Sequence, residues 1–120
     1  MSSVLIVDYS RTSRKVLRTI LEEAGHTVVD EATNGDEGFK KCKLCKPELV
    51  TLDITMPVLD GIEALQIIKT RYPEIKVIMV TAAGQNNKMV EAVKYGADDF
   101  IAKPFDASQI LDSIKKVMGL

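Results

Sequence analysis

Four apolar runs in this 120-residue chain each lead into a side chain that can bind or move charge. Val4-Leu5-Ile6-Val7 ends on Asp8, and the run inside Glu48-Leu49-Val50-Thr51-Leu52-Asp53-Ile54-Thr55-Met56-Pro57 ends on Asp53. Lys76-Val77-Ile78-Met79-Val80 ends on Thr81, and Phe100-Ile101 runs on to Lys103-Pro104. Two carboxylates invite a hard divalent cation such as Mg2+, which is typically held by one or two carboxylates together with substrate oxygens and water. A hydroxyl and an ammonium beside them suit a tetrahedral anion. Phosphoryl transfer asks a protein mainly for positioning and for neutralisation of charge on the equatorial oxygens, which a cation, a lysine and a hydroxyl supply. A carboxylate can itself be the acceptor, giving an aspartyl phosphate. Taken singly, each of these residues is equally at home in a turn or a surface ion pair. What sets them apart is a shared place at the ends of apolar runs.

The elements that must position them follow from the pattern around them. Short apolar runs bounded by breakers read as strands buried on both faces, and Pro57 cannot continue a ladder. After Asp8, residues Ser10 to Ala24 place Val16, Leu17, Ile20, Leu21 and Ala24 at helical spacing, with Gly25 as the stop. Thr27 to Glu31 is a weaker strand, polar enough to be an edge. Asn34 with Glu37, Asp60 with Glu63, and Asp106 each open a helix. The helix after Asp60 carries Ile62, Leu65, Ile68 and Tyr72 on one stripe; the one after the Ala82 to Asn87 loop carries Met89, Ala92 and Val93; the last carries Ile110, Leu111, Ile114, Val117 and Met118. Five strands alternating with five helices force parallel pairing, because each helix is a crossover. In such a sheet ligands collect in the crevice beyond the carboxyl ends of the strands.

Composition narrows the function classes. The chain, 1–120, is read as one domain, with 46% hydrophobic and 28% charged residues and few Pro and Gly. A formal net charge of -1 gives no field that would recruit nucleic acid or an anionic membrane, and no helix pair is left over to bind DNA. Residues 1 to 8 lack a basic segment and the apolar length of a signal peptide, so a cytoplasmic location is expected. Cys42-Lys43-Leu44-Cys45 has the spacing of a redox pair but falls near the end of a helical pattern, and His26 is the one histidine available to a zinc site. Cys42 reads as a small apolar core residue and Cys45 as a helix-end residue.

Taken together, Val4-Leu5-Ile6-Val7-Asp8, Glu31-Ala32-Thr33-Asn34-Gly35, Asp53-Ile54-Thr55-Met56-Pro57 with Asp60-Gly61, Val80-Thr81-Ala82, and Gly96 to Phe105 resemble, in order and spacing, the CheY-like receiver domains of two-component response regulators. The resemblance covers essentially the whole chain. It implies a flavodoxin-like fold, a doubly wound five-stranded parallel sheet of (βα)5 type with strand order 2-1-3-4-5. It implies that Asp53 accepts a phosphoryl group from a sensor histidine kinase, and that Asp8, Asp53 and the backbone carbonyl of Thr55 serve Mg2+. Lys103 then pairs with the phosphoryl group next to a cis bond to Pro104, Thr81 swings toward its oxygens, and Phe100 moves inward as the aromatic switch. The output face would be the fourth helix, fifth strand and fifth helix, roughly Asn86 to Met118, binding a downstream protein partner. Such a protein is a monomeric phosphoacceptor for signalling, with self-catalysed phosphotransfer and autodephosphorylation, and chemotaxis is one setting for it.

One departure bears on the metal. Where the family carries two adjacent acids after the first strand, this chain has Asp8-Tyr9, and a phenol with a pKa of about 10 is a poor replacement for a carboxylate. The departure is the support for an alternative, a phosphorylation-independent interaction module that keeps the fold. A phosphohydrolase would need a second acid where Thr55 stands, and an FMN protein would need a glycine in Tyr9-Ser10-Arg11-Thr12-Ser13. The expected consequence of Tyr9 is weaker Mg2+ binding than in a Tyr9→Asp variant, read by parallel Mg2+ titrations; equal affinities would show that the departure has no bearing on the metal.

Overall fold

Apolar runs without alternation need cover on both faces, and the computed structural model, which describes residues 1–82 and 84–119, supplies it. Its ten elements alternate strictly: β1 (Ser3–Val7), α1 (Arg11–Glu23), β2 (Thr27–Ala32), α2 (Gly35–Cys45), β3 (Leu49–Asp53), α3 (Gly61–Arg71), β4 (Lys76–Thr81), α4 (Asn86–Lys94), β5 (Asp99–Ala102) and α5 (Ala107–Met118). The strands form one sheet in the order β2-β1-β3-β4-β5, with every neighbouring pair parallel. The flavodoxin-like order is as the resemblance implies, and β2 lies at the edge as its polar run predicts. β5 exceeds the expected Phe100-Ile101 because its ladder with β4 already begins at Asp99 and continues to Ala102.

Side-chain alternation along these strands divides the core in two. Leu5, Val7, Val50, Leu52, Val77 and Met79 face α2, α3 and the Ala92 of α4. Val4, Ile6, Leu49, Ile78 and Ile101 face Leu17 and Leu21 of α1 and Ile110 and Ile114 of α5. Two expected inward residues turn out otherwise: Val16 is 44% exposed and Val93 is 57% exposed. Each follows or precedes a fully buried neighbour, Leu17 or Ala92, and one residue along a helix is a rotation of about 100°, which carries the side chain off the buried stripe. Both cysteines are free, and Cys42 lies in the core, where burial pushes its thiol up to about 12, the opposite of an activated thiolate.

Side-chain caps fix where four helices begin. Ser10, Asn34, Asp60 and Asp106 each accept the amide three residues on, and Asp106 with Gln109 completes a reciprocal capping box. α4 differs, since its first residue is preceded by Gln85, whose side chain caps nothing on the helix. Among the described residues no helix is long and apolar enough to cross a membrane.

The turn from β3 into α3 is held by close backbone contact. Gly61 N–H donates to the Ile54 carbonyl at 2.7 Å, and a Cβ on Gly61 would be driven into the Asp53 carbonyl oxygen. Val58, in the same turn, adopts a φ of 69°, a left-handed conformation unfavourable for a β-branched residue. Gly61→Ala is therefore expected to lower stability by about 3 kcal/mol through overpacking against unyielding backbone, with an unchanged denaturant slope in urea unfolding. A loss under about 0.5 kcal/mol, the range of ordinary surface substitutions, would show that the turn can yield.

Candidate functional site

Strand register brings the four sequence-identified side chains to one edge. β1 and β3 are neighbours with Val7 opposite Leu52, so Asp8 and Asp53, each one step further, emerge side by side. Asp53 is opposite Val80 on β4, which puts Thr81 one residue beyond, and Thr81 is opposite Ala102, after which Lys103 follows. The Lys103 N–H donates to the Thr81 carbonyl at 2.6 Å, extending the ladder to the lysine itself, and the Lys103-Pro104 bond is cis as the resemblance implies.

The resulting pit is acidic and mostly closed to water. Asp8 is 1% exposed and Asp53 9% exposed. Lys103 Nζ donates to Asp8 Oδ2 at 3.1 Å and stands 3.7 Å from Asp53 Oδ2. The other Asp8 oxygen, Oδ1, accepts the Ser10 amide at 2.8 Å, which ties the carboxylate to the start of α1. Burial pushes the Asp53 carboxyl up to about 6, with the negative charge of Asp8 adding to the rise and Lys103 opposing it. Two carboxylates facing one ammonium leave an excess negative charge where water cannot fully solvate it. That surplus is what a hard dication would neutralise, so the donor set fits Mg2+. Among the described residues no group of three or more His, Cys, Asp or Glu side chains converges, so further ligands would come from backbone oxygens, water or substrate.

The remaining sequence candidates lie around this pit. Thr81 is buried at the end of β4. Thr55 is exposed in the turn after β3, with its hydroxyl accepting a hydrogen bond from Gln85 Nε2 at 2.7 Å. Phe100 is half-buried against the apolar cluster shared by α2 and α3, and it borders a cleft of about 330 Å³ with Gln109, Asp112, Ser113 and Lys116 of α5. Tyr9 is 64% exposed.

Two residues near the site carry no signal in the sequence. Arg14 Nη1 donates to the carbonyls of Asp8 at 2.8 Å and Tyr9 at 3.2 Å, while its Nε binds Glu31 Oε1 at 3.0 Å, anchoring the turn after β1 to β2. Gln85 bridges the segments after β3 and β4. Both act on backbone or on distant segments, and spacing along the chain does not encode such contacts.

Residues 4–115 match the family model of the response regulator receiver domain. The chain is 45% identical to the Bacillus subtilis protein CcdB, covering 99% of each chain, and 47% identical to the chemotaxis protein CheY of Listeria monocytogenes, covering 97% of this chain and 98% of that one. Among solved structures it resembles a CheX-CheY-BeF3-Mg2+ complex from Borrelia burgdorferi, with a TM-score of 0.91 and 36% identity over 97% of this chain and 88% of that one.

The buried acidic pair has a consequence for stability in metal-free buffer. The folded-state pKa of Asp53, about 6, exceeds its ordinary value of 3.8, so the native state holds a proton that the unfolded chain has already lost between those values. Stability should therefore rise as pH falls through this window, the reverse of a salt-bridged carboxylate. At pH 7.5 with a chelator, Asp53→Asn is expected to be more stable than the wild type by about 1 kcal/mol, the full shift being reduced because the pit mouth admits screening water. That advantage should vanish toward pH 4. Urea unfolding across pH checks it, and an Asn variant less stable at pH 7.5 would contradict the account.

Proposed function

The chain belongs to the response regulator receiver family, and on that premise we propose that it is a CheY-type regulator that accepts a phosphoryl group on Asp53 from a sensor histidine kinase. The observation that carries this reading is Lys103 Nζ lying 3.1 Å from one buried carboxylate and 3.7 Å from another at the carboxyl edge of the sheet. In the transfer, an Asp53 carboxylate oxygen bonds to phosphorus while the bond from phosphorus to the donor histidine nitrogen breaks, and the leaving imidazole keeps the electron pair. Asp53 must be ionised to attack. Lys103 and Asp8 favour and oppose that form respectively, so the lysine holds the nucleophile ready and later pairs with the phosphoryl oxygens. Mg2+ bound by Asp8, Asp53 and the Thr55 carbonyl would supply charge neutralisation at those oxygens.

The signal would leave through α4, β5 and α5. An aspartyl phosphate adds charge and strong acceptor oxygens, rewarding any arrangement that brings the Thr81 hydroxyl and Lys103 closer. Motion of Thr81 opens room for Phe100, which is half-buried against the apolar cluster of α2 and α3. Val90 at 71% exposure and Val93 give this face an apolar strip for a downstream protein. A role in chemotaxis is supported by the CheY relatives, and Mg2+ use and partner binding by the Borrelia CheY complex with CheX, beryllofluoride and Mg2+. The protein is read as a cytoplasmic monomer, and its near-neutral charge offers no field for nucleic acid or an anionic membrane.

Incubation with acetyl phosphate and Mg2+ is expected to add one phosphoryl mass to the wild type and none to Asp53→Asn by intact-mass spectrometry. Lys103→Ala should take up the group at least tenfold more slowly, the loss of about 1.4 kcal/mol of charge stabilisation. A folded wild type with no adduct would favour the phosphorylation-independent interaction module.

A further inference from the structure

Among the described residues, α4 is the one helix of the five whose N-cap side chain makes no capping hydrogen bond. Its N-cap residue, Gln85, directs the side-chain amide elsewhere. Gln85 Oε1 accepts the Ala82 N–H at 2.9 Å, and Gln85 Nε2 donates to Thr55 Oγ1 at 2.7 Å. Ala82 follows Thr81 at the end of β4, and Thr55 stands two residues after Asp53. A single primary amide thus ties together two segments that rim the Asp53 pit and lie far apart in sequence. The bond to Ala82 alone would be an ordinary loop contact. The bond to Thr55 makes it a cross-link.

The helix that Gln85 opens is lightly held. Only Ala92 of its nine residues is buried, and Val90 and Val93 face outward. With few buried contacts to lose, the start of α4 can shift at low cost, and specific polar ties then decide which arrangement prevails. We propose that Gln85 is a positioning residue, a clasp that holds the resting arrangement of the Thr81-Ala82 segment against the Thr55 turn and must open for the switch to complete. The proposal rests on Asp53 being the phosphoryl acceptor. A ligand at Asp53 shifts the equilibrium only by its differential affinity for the two arrangements, so a tie present in the resting one subtracts from apparent affinity.

The test uses beryllofluoride, titrated at saturating Mg2+ into the wild type, Gln85→Ala, Thr55→Val and the double variant, with amide NMR as readout. Thr55→Val removes the hydroxyl and keeps the backbone carbonyl. Each single variant is expected to bind about fivefold more tightly, the effect of one net hydrogen bond, and the double variant no more tightly than Gln85→Ala, because both changes open the same clasp. Relaxation dispersion in the unliganded protein should show a larger minor population at Asn86 to Met89 in each variant. A loss of stability alone would not tighten binding. Unchanged or weaker binding by Gln85→Ala, or fully additive gains in the double variant, would overturn the clasp while leaving Asp53 as acceptor. A folded wild type that fails to bind beryllofluoride would overturn the Asp53 reading and the clasp with it.

Discussion

The structure turns on a repulsion: two carboxylates, Asp8 and Asp53, held together in a nearly closed pit with one lysine between them. Buried charge without full compensation is costly, and the cost shows as an Asp53 carboxyl pushed up to about 6. A core built for stability alone would place apolar side chains there. What maintains the arrangement is the rest of the sheet, whose strands β1, β3 and β4 are almost entirely buried and fix the register from which these tips emerge. The unfavourable electrostatics fit the pit to a cation and, under the proposed function, to a phosphoryl group once its charge is inverted.

Rigidity and looseness are distributed unevenly around this pit. On one side, Arg14 and the Ser10 amide fasten Asp8, and Gly61 lets α3 begin directly against the Asp53 backbone. On the other, α4 presents one buried residue and no side-chain cap, and its start is secured through Gln85. The tightly held side keeps Asp8 and Asp53 in place. The yielding side lies next to Thr81 and leads toward Phe100 and α5, so a change of charge at Asp53 has a direction in which it can be relayed.

Much of this was legible in the sequence because buried parallel strands write themselves as apolar runs, and Asp8, Asp53, Thr81 and Lys103 stand where those runs stop. The caps at Asn34, Asp60 and Asp106 were likewise legible, since a capping residue and its partner lie three positions apart. Val16 and Val93 were misjudged because hydrophobicity does not reveal which of two adjacent apolar residues points inward when the neighbour is Leu17 or Ala92. The exposure of Tyr9 and the contacts of Arg14 and Gln85 were not legible, because they depend on how turns from separate strands meet. Local patterning gives the strand ends; only the assembled edge shows what fastens them.

The most direct test of the buried-pair claim is the ionisation of Asp53 itself, followed by carboxyl-carbon NMR in metal-free protein across pH. The account predicts a midpoint near 6 that moves lower when Mg2+ is added, as charge in the pit is neutralised. A midpoint at the ordinary value of 3.8, insensitive to Mg2+, would mean that the two carboxylates do not share a strained acidic pit, and the account would fail at its foundation.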